Sequence, residues 1–71
     1  MKATIMLPVH GGAENAMVVF GRIEDLILSS VRDDHARIVA DFRDARPVMF
    51  VEITTNDFNG LMGDLDEEGF L

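Results

Sequence analysis

Residues 47–54, Pro-Val-Met-Phe-Val-Glu-Ile-Thr, are the stretch of this sequence that decides the fold. Valine, isoleucine, phenylalanine and threonine favour the pleated backbone, and proline is tolerated at the first position of a strand. Alternate residues of a strand face opposite sides, so one face carries Val48, Phe50, Glu52 and Thr54 and the other carries Met49, Val51 and Ile53. Both faces are largely apolar, and we expect both to be covered, one by the chain's own C-terminal helix and the other by a neighbouring sheet or a second copy.

The residues after this strand predict a short helix over 56–65. Apolar residues recur at the i, i+3, i+4 and i+7 spacing of one helical stripe, namely Phe58, Leu61, Met62 and Leu65. Thr54, followed three residues later by Asp57, is interpreted as a capping box. Interior glycines weaken a helix, and acids at its C-terminus oppose the helix dipole. The helix is therefore predicted to end between Gly63 and Asp66.

Earlier segments of the chain predict further strands. Residues 3–9 are predicted to form a first strand, with Pro8 at an edge or at the strand end. Residues 10–15 contain two glycines and are predicted to form a loop. Residues 17–20 are predicted to form a second strand, which Gly21 then breaks.

Residues 22–45 allow two interpretations. Apolar spacing and (i, i+4) charge pairs fit a single helix, but that helix would be about twice the mean length and would contain Ser-Ser and Asp-Asp pairs, which are poor helix formers. The interpretation that we favour places strands at residues 26–31 and 36–42, followed by polar turns at 32–35 and 43–46. Apolar and polar residues alternate along the second of these strands, as expected when one face is exposed.

Together these elements predict an α+β fold, a small antiparallel β-meander or partly open barrel of about five short strands with one C-terminal helix. Residues 1–71 are expected to form a single small domain with an acidic tail over about 64–71. A chain of this size buries only ~60% of its unfolded surface. Because 48% of the residues are apolar, we expect a partner, most simply a second copy, to cover part of that surface.

Composition and charge exclude several classes of function. The absence of cysteine excludes disulfides and thiolate metal sites. The sequence has no apolar run near the ~18 residues of a membrane span, and no signal peptide, so a cytoplasmic location and a complete reading frame from Met1 are expected. The net charge is −7, and residues 56–71 hold five acids and no base. Direct nucleic-acid binding is therefore disfavoured, and a basic protein partner is favoured.

Motifs for chemistry are weak. A partial calcium loop places potential ligands and its glycine at EF-hand positions; these residues are Thr55, Asp57, Asn59, Gly60 and Asp66. The loop lacks the first Asp and the final Glu of that motif, so no metal ligands are assigned. His10–Gly11–Gly12 resembles an oxyanion loop, but no nucleophile elbow accompanies it. A chain this short leaves little room for an enclosed catalytic pocket, so no catalytic residue and no cofactor are predicted.

The acidic C-terminal region is either a solubilising tail or a docking surface. As a docking surface it would offer Phe58, Leu61, Met62, Asp64, Asp66, Glu67, Glu68 and Phe70 to a partner. The leading hypothesis is a non-enzymatic interaction or regulatory module that forms a homo-oligomer. The alternatives are an inhibitor that imitates nucleic acid and captures a basic host protein, and a weak divalent-cation module around Asp57, Asn59 and Asp66.

Overall fold

The computed structural model describes residues 1–43 and 46–71. Its elements in chain order are β1 (Ala3–Val9), α1 (Gly12–Leu28), β2 (His35–Arg43), β3 (Arg46–Thr55) and α2 (Phe58–Glu67). The strands form one open sheet of three strands in the order β1-β3-β2, and both pairings are antiparallel. The fold is therefore α+β, but the prediction of about five strands in a meander or barrel with one helix is wrong in its number of elements.

Strand β3 is the centre of the sheet, as its strong local preference predicts. Val51 pairs with Leu7 of β1 on one side and with Ile38 of β2 on the other. Because β1 and β2 both run antiparallel to β3, they run parallel to each other as the two edges. Helix α1 provides the crossover from one edge to the other, which a parallel relation between strands requires.

The core lies on one face of the sheet, beneath both helices. Its buried residues form a single cluster of Leu7, Val9, Ala16, Ile23, Met49, Val51, Ile53, Leu61 and Leu65. Strand residues of one face and residues of both helices share this cluster, so the molecule has two layers. We expected both faces of β3 to be covered, but the described chain covers only one of them. The Met49–Val51–Ile53 face meets the chain's own helices, and the opposite face carries exposed side chains such as Met6 and Val48.

Helix α1 corrects three predictions. The strands predicted at 17–20 and 26–31 are wrong, and so is a single helix over 22–45, because α1 covers Gly12–Leu28. Residues with low exposure recur along α1 at helical spacing, namely Ala16, Val19, Phe20, Ile23, Leu26 and Ile27. Burial of this stripe on the sheet outweighs the β preference of the Met-Val-Val-Phe run, which is measured in tenths of a kcal/mol per residue.

The two ends of α1 have identifiable local causes. Gly11 and Gly12 adopt φ of 97° and 78°, a region that glycine enters without steric cost. They turn the chain sharply out of β1, so the loop predicted over 10–15 is shorter than expected. At the other end the Ser29 and Ser30 hydroxyls donate to the carbonyls of Leu26 and Ile27 at 2.9 and 3.0 Å. This competition with backbone hydrogen bonding ends the helix.

Helix α2 is capped by Asp57, not by the predicted capping box that began at Thr54. The Asp57 carboxylate accepts from the Gly60 amide at 3.1 Å, and the Thr55 hydroxyl accepts from the Asp57 amide at 3.0 Å. Thr54 belongs to β3. A Cβ at residue 60 would collide with the capping carboxylate, so the glycine that lowers helix propensity is also what makes room for the cap.

The predicted end of α2, between Gly63 and Asp66, is too early. The helix continues to Glu67 and closes with a Schellman motif, in which Phe70 N donates to Leu65 O at 2.9 Å and Gly69 N donates to Asp66 O at 3.1 Å. These bonds satisfy the last carbonyls and turn Phe70 back towards the core. The predicted acidic tail is therefore partly helix and partly a packed turn. Residues 44 and 45 of the predicted turn at 43–46 lie outside the described residues.

Candidate functional site

The charge of the chain is segregated between its two layers. The segment of α1, residues 12–28, holds three acids and one base, and residues 56–71 around α2 hold five acids and no base. The remaining segments, residues 1–11 and 29–55, hold five acids and five bases. The entire net charge of −7 therefore belongs to the helical segments, and the strands with their loops are neutral.

The exposed residues of α2 and of its C-terminal cap include both acids and apolar side chains. Asp66, Glu67 and Glu68 are exposed, Phe58 is 45% exposed and Met62 is half-buried. Phe58, Met62 and Asp66 are four residues apart in succession, which aligns them along one side of a helix. We call these five residues the α2 surface. They are the members of the sequence-predicted site that remain accessible to a partner.

The other three predicted site residues have structural contacts. Leu61 is completely buried in the core. Phe70 packs against the core, and the guanidinium of Arg22 lies 4.4 Å from the centre of its ring. The Asp64 carboxylate lies 2.7 Å from Arg32 Nη1. Their side chains hold the C-terminal segment in place.

Arg32 forms a buried ion cluster that sequence reasoning missed. Its Nε donates to Asp34 Oδ2 at 2.9 Å, and the side chains of Arg32 and Asp34 are 13% and 0% exposed. Burial alone lowers the pKa of Arg32, but the hydrogen bonds to Asp64 and Asp34 outweigh it and raise the pKa, so the guanidinium stays charged. The cluster ties the loop between α1 and β2 to helix α2. The sequence showed only a polar turn at these positions.

The face of the sheet opposite the helices is not covered by any element of the described chain. We call it the open sheet face, and it carries Thr4, Met6, Pro8, His35, Arg37, Val39, Asp41, Arg46, Val48, Phe50, Glu52 and Thr54. Its middle row is apolar, because Phe50 lies between Pro8 of β1 and Val39 of β2. Met6 and Val48 flank this row and are 44% and 39% exposed.

Polar contacts organise one end of the open sheet face. The Arg37 guanidinium forms a two-bond fork on Glu52, with Nε–Oε1 at 2.7 Å and Nη2–Oε2 at 3.2 Å. The hydrogen bond from Arg37 lowers the pKa of Glu52. Beyond this pair, the hydroxyls of Thr4 and Thr54 lie 3.3 Å apart. The face therefore has an apolar centre and a charge-paired, polar end.

The described structure does not bring together the two histidines and the partial calcium loop of the sequence analysis. His10 and His35 follow β1 and begin β2, so they lie at opposite ends of the sheet. No group of three or more His, Asp or Glu residues in the described ranges is placed to hold a metal ion, and Asp57 of the partial calcium loop is occupied as a helix cap. Neither helix of the described chain has the length and apolar character to cross a membrane.

Comparison with protein-family models, with curated protein sequences and with solved structures found no match to this chain. The described chain offers two accessible features to a partner, the α2 surface and the open sheet face. The first is acidic with apolar side chains at its centre. The second is apolar at its centre and carries charges of both signs.

Proposed function

We propose that the chain is a small, non-enzymatic interaction module that binds a basic protein through the α2 surface. The observation that supports this proposal most strongly is the segregation of charge. Residues 56–71 contain five acids and no base, and within the described part of the chain the α2 carboxylate that forms an ion pair is that of Asp64, with Arg32. Asp66, Glu67 and Glu68 are exposed to solvent.

The apolar residues of the α2 surface give such a complex its affinity. Aromatic and methionine side chains are enriched at protein interfaces, and methionine adapts its shape to different partners. Phe58 and Met62 lie one helical turn apart, so both reach the same partner surface. The neighbouring carboxylates accelerate encounter with a basic protein and select its orientation. Binding should therefore weaken as salt concentration rises.

The experiment uses the intact chain, immobilised and exposed to a lysate of the cells that encode it. Captured proteins are identified by mass spectrometry, and the affinity of the purified partner is then measured by calorimetry. The test variant D66N/E67Q/E68Q removes three charges from the α2 surface. The matched control E14Q/E24Q/D33N removes three charges from residues that are also exposed but lie elsewhere.

Binding through the α2 surface predicts that the test variant loses the basic partner and the control retains it. An equal loss in both variants would show that only the total charge matters. Retention in the test variant would exclude the α2 surface. Adding duplex DNA as a competitor determines whether the partner's basic surface also accepts nucleic acid, which is the prediction of the nucleic-acid-mimic alternative.

A further inference from the structure

The open sheet face raises the question of what covers it. Met6, Val48 and Phe50 lie on it together with Pro8 and Val39, and Met6 and Val48 expose 44% and 39% of their surface. An apolar patch on a sheet, bordered by polar groups, is typical of an interaction site. Scattered apolar side chains would need no explanation, but these lie in adjacent rows of one sheet.

The distribution of charge over the chain favours a second copy as the partner of this face. The described side chains of this face include two bases, Arg37 and Arg46, and two acids, Asp41 and Glu52, so it has no excess of acids. The helical segments carry the net charge of −7, and two copies would repel each other there. Contact through the open sheet faces places the helical layers on the outside, as far apart as the molecule allows. The sheet face is therefore the side of the described chain where a second copy avoids the acidic excess of the helical segments.

The strand register also makes the face complementary to itself. Consider two copies face to face, related by a two-fold axis that lies between the sheets, perpendicular to the strands, and passes over Phe50. This axis places the cross-strand row that contains Glu52 over the row of the second copy that contains Val48. Strand β2 of one copy then lies over β2 of the other. On β2, Arg37 lies opposite Glu52 in the strand register and Asp41 lies opposite Val48. The axis therefore places Arg37 of each copy over Asp41 of the other, which gives two such contacts. Phe50 and Val39 then meet their own equivalents at the centre. Two sheets pack in this way at a separation of about 10 Å.

We infer that a second copy of this chain docks on the open sheet face and forms a weak, symmetric dimer with the helices outside. The area of the open sheet face limits the affinity of this dimer. Strands with a rise of about 3.3 Å per residue, spaced about 4.8 Å apart, give a footprint of roughly 400 Å². This is about half of the roughly 800 Å² per partner that a standard stable interface buries. The dimer should therefore be reversible and form at micromolar or higher concentration.

Sedimentation equilibrium of the full chain over a wide concentration range measures this dimer. Met6→Lys replaces an apolar side chain beside the apolar centre with a charge that loses its water in the dimer, and it should weaken association at least tenfold (about 1.4 kcal/mol). Val18→Lys is the matched control, because Val18 is exposed to a similar degree, 58% against 44% for Met6, but lies on α1. Circular dichroism verifies that both variants fold.

A charge exchange tests the register. Arg37→Asp places like charges over each other twice and should weaken the dimer, whereas R37D/D41R restores opposite charges and should recover it. Loss of the Glu52 pair is common to both variants, and D41R also removes the contact that Asp41 makes within its own chain, so neither loss can explain a recovery. A chain that stays monomeric at all concentrations, a dimer unaffected by Met6→Lys, or an exchange variant that stays as weak as Arg37→Asp would overturn the inference. The dimer does not depend on the basic partner, and D66N/E67Q/E68Q should leave it intact.

Discussion

Replacement of Arg32 by methionine should destabilise the chain far more than the same replacement of Arg37. Both side chains form an ion pair through Nε, at 2.9 Å to Asp34 and at 2.7 Å to Glu52. They differ in burial, because the Arg32 side chain is 13% exposed and the Arg37 side chain is 71% exposed. The pair of variants therefore compares the loss of a buried ion-paired arginine with the loss of an exposed one.

The magnitude for Arg32 follows from what the substitution leaves behind. The Asp34 carboxylate has no exposed surface, and without Arg32 it becomes a buried charge with no counter-ion. Breaking a buried pair in this way costs about 3–5 kcal/mol. The contact with Asp64 adds little, because that carboxylate is 35% exposed and water can replace the guanidinium. We therefore expect a loss of about 3 kcal/mol, against a total of roughly 4–10 kcal/mol for a domain of this size.

Urea denaturation followed by circular dichroism measures both losses. Arg37→Met should have only a small effect, because exposed pairs are compensated by water. The double variant R32M/D34N should recover part of the loss caused by Arg32→Met, since the isolated charge is gone. An Arg32→Met loss no larger than that of Arg37→Met would refute the argument from burial. A double variant less stable than Arg32→Met alone would also contradict it.

Three further predictions concern α2 and the sheet. Asp57→Ala removes the cap on Gly60 and should cost about 1 kcal/mol in a urea titration; an unchanged midpoint would mean that the cap is not formed. Leu61→Ala should cost about 3 kcal/mol, while Phe58→Ala, at 45% exposure, should cost much less; similar losses would contradict the orientation of α2. The lowered pKa of Glu52 means that its pair stabilises the fold above the usual carboxyl range and that this contribution disappears as pH falls through the lowered value. Glu52→Gln should thus be less stable than the parent at neutral pH and equally stable once the pH lies below the lowered pKa of Glu52; a difference that persists there would exclude this linkage.

Local patterns predicted much of the sheet. Strand β3 has a continuous run of residues that favour strands, and β1 and β2 match their predicted positions within a residue or two. Helix α1 could not be predicted with the same local rules. Its Met17–Val18–Val19–Phe20 run favours a strand in isolation. The helix is more stable only because its apolar stripe packs on the sheet, which local rules do not include. Gly21 was interpreted as a strand break but occupies an exposed position of the helix with open space beside it.

The acidic character of the candidate site could be predicted from the sequence, but which of its residues are accessible could not. The excess of acids near the C-terminus is visible in the sequence, and Asp66, Glu67 and Glu68 are exposed as a docking surface requires. The burial of Leu61 and the pairing of Asp64 with Arg32 depend on contacts between distant segments. Gly69, a common residue at a helix C-terminus, was the one local signal that could have indicated the return of Phe70.

The measurement that tests the two-layer arrangement most directly compares Val51→Thr with Val48→Thr in urea denaturation. Both valines lie on β3, but Val51 is completely buried and Val48 is 39% exposed. Threonine preserves the shape of valine, and burying its hydroxyl without a partner costs about 1–3 kcal/mol. The fold predicts that loss for Val51→Thr and almost none for Val48→Thr at concentrations where the chain is monomeric. Equal losses, or a larger loss for Val48→Thr, would contradict a sheet with one covered and one open face.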